Sequence, residues 1–89
     1  MIKILWDEGF KRKYKKVIKY NEILKTKFWD ALKIFVYEPN TPILKTHKLY
    51  GKLKGLHAFS IDYNFRVIFK FISNIEVLLI DIGTHEEVY

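Results

Sequence analysis

The hydrophobic pattern changes its period once along the chain, close to Gly55, and this change limits the possible folds more than any other feature. Before Gly55, apolar residues recur at helical spacing over residues 10–18 and again over residues 24–35. After Gly55, apolar and polar residues alternate, as they do in strands that bury one face. The sequence therefore predicts helices and strands that are segregated along the chain, which is an α+β fold.

Two amphipathic helices are predicted, and capping residues mark where they begin and end. Asp7 and Asn21 are both favourable N-cap residues. Pro39 ends the second helix, because the residue before a proline avoids the helical conformation. The polar side of the first helix is strongly basic and carries Lys11, Arg12, Lys15, Lys16 and Lys19. Two such helices joined by a tight turn predict a helical hairpin.

A first short strand is predicted at residues 2–6, and three further strands follow the helices at residues 59–63, 65–72 and 75–82, with Gly83 ending the last one. Because turns of about two residues join the last three strands, they form an antiparallel meander. The predicted order is β-α-α-β-β-β, an antiparallel sheet with the helical hairpin packed on one face. The other face is expected to be partly open, with Arg66, Ile68 and Ile72 pointing outward.

Composition limits the chain to one small domain. Its 89 residues leave no room for a second core, so residues 1–89 are predicted to form a single domain. The absence of cysteine excludes disulfides and thiolate metal sites, and it favours a reducing cytoplasm. The first residues do not resemble a signal peptide, and no apolar run approaches the roughly 20 residues of a membrane span. A cytoplasmic chain with no membrane partner is expected.

The charge balance favours an anionic partner. Sixteen Lys and Arg residues against ten acidic residues give a formal charge of +6 and a pI near 9.5. Such a balance suits nucleic acid, although many soluble domains share it. Lys45, Lys48, Lys52 and Lys54 in the irregular middle segment are predicted to contact the backbone of RNA. The alternative is that these lysines only form a solvated surface.

Two regions of the predicted sheet carry side chains suited to chemistry on a phosphate. Arg66 lies on the middle strand of the meander, where a fixed guanidinium could bind a phosphate. Alternatively, it could form an ion pair with Asp62 or Glu76. His85 directly follows the last strand and could transfer protons near neutral pH, and Tyr89 could stack on a base. The alternative for these two is an exposed, fraying tail.

His47 is the third candidate, because the lysine beside it favours the neutral imidazole that can accept a proton. The alternative is an ordinary histidine in a basic loop, and His57 is a weaker candidate. No metal site is predicted, because the histidines have no carboxylate partner at metal-ligand spacing. A metal-free ribonuclease needs a proton acceptor, a cation for the phosphate and a proton donor. His47, Arg66 and His85 have these three properties.

Four segments of the chain resemble the RelE/ParE toxin superfamily, and within it the RelE/YafQ-type toxins. They are HKLYGKLKG at 47–55, DYNFRVIF at 62–69, IGTH at 82–85 and VY at 88–89. That family has the topology predicted above. The resemblance implies the toxin of a type II toxin-antitoxin system, a metal-independent and ribosome-dependent endoribonuclease without a cofactor. Such a toxin cleaves messenger RNA in the ribosomal A site by general acid/base catalysis. Its partners are a cognate antitoxin, messenger RNA and ribosomal RNA in a prokaryotic cytoplasm. The resemblance also implies that the basic first helix contacts ribosomal RNA, here through Lys11 and Lys15.

The resemblance also implies roles for individual residues. His47 matches the family histidine before the Leu-x-Gly element, and Arg66 matches the strand arginine that holds the phosphate. His85 matches the catalytic histidine near the end of the domain, and Tyr89 matches the terminal aromatic residue. His47 is then the predicted general base and His85 the general acid, with Asp62 as a spare carboxylate.

Three positions depart from the pattern of the family. Where members place a further histidine, an acidic residue and a glutamate, this chain has Ser60, Asn64 and Ile43. Two other functions therefore stay open. One is inhibition of DNA gyrase by a ParE-like toxin, which shares the fold and cuts nothing. The other is a non-catalytic RNA-binding module or a decayed toxin. Loss of cleavage on changing His85 would argue against both.

Overall fold

The computed structural model describes residues 1–89, which form five strands and three helices. In chain order these are β1 (Lys3–Trp6), α1 (Glu8–Val17), α2 (Glu22–Tyr37), β2 (His47–Lys48), β3 (His57–Ser60), β4 (Phe65–Phe71), β5 (Glu76–Thr84) and α3 (His85–Val88). Single 3-10 turns lie at Pro42–Leu44 and Gly51–Leu53. The predicted α+β class and order are confirmed, and β2 and α3 are additions to them.

Both long helices begin at the predicted caps. The Asp7 carboxylate accepts a hydrogen bond from the Gly9 amide at 2.9 Å, and the Asn21 side chain accepts one from the Leu24 amide at 3.0 Å. These bonds satisfy amides that have no partner inside the helix. Helix α2 ends at Tyr37, shortly before Pro39, as the proline predicts. None of the helices has the length and apolar character needed to cross a membrane.

The sheet is mixed rather than wholly antiparallel. Its strand order is β1-β5-β4-β3-β2, and the meander from β3 to β5 is antiparallel as predicted. Strand β1, however, pairs in parallel with β5, so that Lys3 lies opposite Glu76. Strand β5 also continues through Gly83 to Thr84, because Gly83 still pairs with Arg66.

The main core lies between the helices and one face of the sheet. Fifteen buried residues form this cluster, and most of them come from both helices and from strands β3, β4 and β5. Ile18, Leu44 and Ile61 come from the segments between these elements. Phe35 of α2 stacks on Phe59 with ring centroids 4.6 Å apart and meets Phe69 edge-on at 4.9 Å. Aromatic contacts of this kind add to the gain from apolar burial. The predicted packing of the hairpin on one face is confirmed.

The opposite face of the sheet is more covered than the alternation predicts. Ile68 was expected to point outward, but it is buried in a small cluster with Leu49, Ala58 and Val88. Alternation specifies only which side of a strand a residue faces, and here α3 and the segment after β2 cover that side. Ile72 is half exposed, as expected. This second layer brings the end of the domain against the strand that carries Arg66.

Candidate active site

Helix α3 positions two of the predicted site residues, His85 and Tyr89. The helix is capped at Thr84, whose hydroxyl accepts a hydrogen bond from the Glu87 amide at 3.3 Å, while the Glu87 carboxylate accepts one from the Thr84 amide at 2.9 Å. The Thr84 amide, followed by the Thr84 side chain, lowers the pKa of the Glu87 carboxylate. Val88 packs into the second cluster and is 8% exposed. The fraying tail considered as an alternative is therefore replaced by a capped and docked helix.

Gly83 allows α3 to approach β5 closely. A Cβ atom at this position would lie 3.1 Å from Val88 Cγ1, 3.2 Å from Glu87 Cβ and 3.3 Å from Glu87 Oε1. These distances are shorter than ordinary van der Waals contacts. The neighbouring strand residue is Arg66, which pairs with Gly83 in the sheet. The glycine thus brings the helix that carries His85 beside the strand that carries Arg66.

Tyr89 connects the two predicted catalytic histidines. Its ring meets the His85 ring edge-on at 4.3 Å between centroids, and its hydroxyl lies 3.1 Å from His47 Nε2. His47 Nδ1 lies 2.8 Å from the Lys45 carbonyl oxygen, which can only accept, so Nδ1 carries a proton. In the neutral ring Nε2 then accepts from the Tyr89 hydroxyl. Burial raises the pKa of Tyr89 despite an opposing effect of Arg66, so the phenol remains protonated and can donate.

Arg66 has no carboxylate partner. Its Nη1 donates to three main-chain carbonyl oxygens, those of Asp62 at 2.9 Å, Tyr63 at 3.0 Å and Phe65 at 3.2 Å. The predicted alternatives of an ion pair with Asp62 or Glu76 do not occur, because the ion pairs of the chain are all formed by lysines. The guanidinium is held in place by neutral groups and keeps a positive charge that an anion could neutralise.

The turn between β3 and β4 is braced by Asp62. Its Oδ1 accepts from the Asn64 amide at 2.9 Å and the Phe65 amide at 2.8 Å, and its Oδ2 lies 3.4 Å from Lys27 Nζ. Burial alone would raise the pKa of Asp62, but these hydrogen bonds and the charge of Lys27 outweigh it and lower the pKa. The Asp62 carboxylate is therefore ionised and already engaged, which suits a structural brace better than a spare general base.

Polar side chains line an open cleft of about 490 Å³ on the face of the sheet that carries Arg66. It is lined by Tyr63, Asn64, Arg66, Thr84, His85 and Glu86. His47 joins this group through Tyr89. Tyr63, Thr84 and Glu86 were not predicted from the sequence as site residues. The Thr-x-x-Glu spacing of Thr84 and Glu87 is a capping-box signature, and it could have predicted the short helix that brings Glu86 to the cleft.

The predicted RNA-binding lysines are exposed, but they lie in two separate groups. Lys45, Lys48, Lys52 and Lys54 surround β2, and the carbonyl of Lys45 holds His47. Lys11 and Lys15 lie on α1, where Lys11 pairs with Glu8 at 3.1 Å. Their contact with RNA stays a prediction.

His57 lies apart from the cleft. Its ring stacks on Phe69 at 5.5 Å between centroids, and Phe69 belongs to the main core on the helix side of the sheet. Burial, followed by the charges of Lys48 and His47, lowers the pKa of His57. No group of three or more His, Cys, Asp or Glu side chains in residues 1–89 is arranged to hold a metal ion.

Comparison with known proteins finds similarity in structure only. No protein-family model matches the sequence, and no curated protein matches it. A metal-bound toxin from Helicobacter pylori matches with a TM-score of 0.78 and 22% identity, covering 100% of both chains. A YoeB/ParE toxin from Agrobacterium tumefaciens matches with a TM-score of 0.77 and 18% identity, covering 94% of this chain and 99% of that one.

YafQ in the DinJ–YafQ complex from E. coli also shares the fold, with a TM-score of 0.72 and 21% identity over 100% of this chain and 99% of that one. At such identities the match establishes a common fold and leaves activity to be argued from the site. The predicted fold is thus confirmed, because the chain has the architecture of solved toxins that include YafQ and a YoeB/ParE toxin.

Proposed function

We propose that this chain is the toxin of a type II toxin-antitoxin system, and that it is a metal-independent endoribonuclease that cleaves messenger RNA in the A site of the ribosome. One observation carries the proposal above all others. Tyr89 joins His47 and His85 into a single group beside Arg66, whose charge has no carboxylate partner. A proton acceptor, a proton donor and a cation at one open face are what cleavage by the RNA 2′-hydroxyl requires.

His47 is the proposed general base. The Lys45 carbonyl holds the tautomer in which Nε2 has a free lone pair, and the Tyr89 hydroxyl occupies this lone pair in the free protein. The 2′-hydroxyl of RNA would replace the phenol there and pass its proton to Nε2. The 2′-oxygen then attacks the adjacent phosphorus, and the bond from phosphorus to the 5′-oxygen breaks. The products are a 2′,3′-cyclic phosphate and a free 5′-hydroxyl.

His85 and Arg66 complete the proposed reaction. His85 in its protonated form donates to the departing 5′-oxygen, and Arg66 stabilises the charge that develops on the phosphate. Because Arg66 uses only Nη1 for the turn, Nη2 and Nε remain for the phosphate oxygens. Such preorganised donors act where the charge forms and need no rearrangement during the reaction. Glu86 adds a carboxylate to the cleft, which would disfavour phosphate binding there.

An antitoxin is the proposed protein partner. The structural neighbour YafQ is seen in a complex with DinJ, and YoeB from Staphylococcus aureus is seen in a complex with YefM. A formal charge of +6 favours an acidic partner as well as RNA. The exposed lysines around β2 and on α1 are proposed to contact ribosomal and messenger RNA, in the cytoplasm of a prokaryote.

The test is a translation reaction with purified ribosomes, in which primer extension maps cuts in the messenger. We expect codon-phased cuts from the wild type and none from His85→Ala, because the leaving oxygen then has no proton donor. EDTA, at a concentration that still leaves magnesium for the ribosome, should not change the rate. A loss of cleavage that returns with zinc or copper would overturn the metal-independent mechanism.

An intact messenger with the wild-type protein would contradict the ribonuclease. The fold match to a YoeB/ParE toxin makes inhibition of DNA gyrase the second candidate. A supercoiling assay with purified gyrase would then decide, since a gyrase inhibitor should act equally well in the wild type and in His85→Ala. A chain that neither cuts RNA nor inhibits gyrase would be a non-catalytic or decayed toxin.

A further inference from the structure

The most exposed aromatic side chain of the cleft is Tyr63, which has no assigned role. It lies in the turn between β3 and β4 and is 88% exposed. It lines the cleft together with Arg66 and His85. Only its main-chain carbonyl is used within the protein, by Arg66 at 3.0 Å. Tyr63 differs from the other exposed tyrosines in that it lines the same cleft as Arg66, a cation without a carboxylate partner.

The main chain under Tyr63 is fixed from both sides. Asp62 accepts hydrogen bonds from the amides of Asn64 and Phe65. Arg66 donates to the carbonyls before and at Tyr63, and the Asn64 carbonyl accepts from the His85 amide at 3.2 Å. The turn thus presents an exposed ring on an ordered base. Because a tyrosine side chain has only two rotatable bonds, ordering it on a ligand costs little entropy.

Tyr89, the residue that the sequence suggests for base stacking, is already engaged. Its ring packs edge-on against His85, its hydroxyl bonds to His47, and only 42% of it is exposed. Stacking on a base would compete with these contacts. Tyr63 has no such contacts, so both faces of its ring are free.

We propose that Tyr63 is a nucleobase-stacking residue, which holds a base of single-stranded RNA next to the phosphate that Arg66 binds. The inference rests on the proposed function in that it names a binding residue of the same cleft. Tyr89 then positions the histidines, while Tyr63 binds the substrate. Stacking on an aromatic ring tolerates every base, so Tyr63 contributes affinity and orientation rather than a choice of sequence.

The test uses an RNA that cannot be cut. A 2′-O-methyl adenine hexamer lacks the attacking hydroxyl, and an abasic hexamer with the same backbone is the matched control. We expect Tyr63→Ala to weaken binding of the adenine hexamer roughly 5- to 150-fold, which is the loss of about 1–3 kcal/mol for one stacked base. Tyr63→Phe should bind like the wild type, because it keeps the ring. Binding of the abasic hexamer should be equal in all three proteins.

Several outcomes would overturn the inference. These are unchanged binding in Tyr63→Ala, an equal loss for the abasic hexamer, and no binding of the adenine hexamer by the wild type at low salt. An effect of Tyr63→Ala confined to a protein partner would assign the ring to a protein interface instead. Because the hexamers cannot be cleaved, the result does not depend on catalysis. If the wild type binds the hexamer as expected but never cuts a messenger, the proposed ribonuclease function is refuted and the stacking role of Tyr63 is still supported.

Discussion

Gly83→Ala should disturb the candidate active site while leaving the chain folded. The added methyl group would lie 3.1–3.3 Å from three atoms of α3, so these atoms must give way by a few tenths of an ångström. Overpacking of this kind costs about 1–3 kcal/mol. If α3 lifts away instead, the loss of Val88 burial costs about 1.5–3 kcal/mol, which is of the same order. The main core between the helices and the sheet is untouched in either case.

We expect a large loss in the cleavage rate and only a moderate loss in the melting temperature. Each kcal/mol lowers the melting temperature of a domain of this size by about 4–8 °C. A displacement of about 1 Å in the catalytic groups can cost on the order of 100-fold in rate. We therefore expect Gly83→Ala to remain folded at 25 °C and to lose most of its cleavage, because α3 carries both His85 and Tyr89.

Circular dichroism melts and single-turnover cleavage on ribosomes measure the two effects. Val88→Ala should give the same pattern, since it weakens the docking of α3 without a clash. Lys70→Ala is the neutral control, because Lys70 is exposed near the far end of β4. A Gly83→Ala protein that melts and cuts like the wild type would show that α3 has room to spare, and the close approach at Gly83 would then have no consequence.

Two further predictions concern Arg66 and His57. Arg66→Ala should lower the cleavage rate by about 100- to 1000-fold, or about 2.7–4 kcal/mol, by analogy with the loss of an oxyanion donor. Arg66→Lys should recover only part of this rate, and full single-turnover activity of a folded Arg66→Ala protein would refute the role of Arg66. Because the pKa of His57 is lowered from its ordinary value of 6.5, chiefly by burial and then by Lys48 and His47, the unfolded chain takes up a proton more readily than the folded one. The contribution of His57 to stability is therefore complete above pH 6.5 and is lost as the pH falls through its lowered pKa. Urea unfolding at pH 7.5 and 5.5 should show this loss, and an identical loss in His57→Gln would assign it to other groups.

The periodic parts of the fold were predictable, since long helices and strands repeat their pattern several times. Asp7, Asn21 and Pro39 set the helix ends as expected, because capping and proline effects act within a few residues. The parallel pairing of β1 with β5 was not predictable, because alternation within one strand contains no information about its partner or direction.

The residues of the candidate site could be predicted from the sequence, but most of the contacts between them could not. His47, Arg66, His85 and Tyr89 do meet at one face. The burial of Ile68 and the docking of α3 depend on contacts between distant segments, which a local pattern does not show. The hydrogen bond that Tyr89 makes to one histidine and its ring contact with the other also needed the structure. These two contacts are the basis for the positioning role proposed for Tyr89.

The parallel pairing of β1 and β5 affects the order in which the sheet can form. Strands β3, β4 and β5 are joined by short turns, so their contacts are local and close with little loss of chain entropy. Strand β1 can pair only after β5 has formed, and the two strands lie far apart in the sequence. The meander, which includes Arg66, is therefore expected to form early, and β1 is expected to join its edge late. The sheet would then assemble outward from the strands that carry the candidate site.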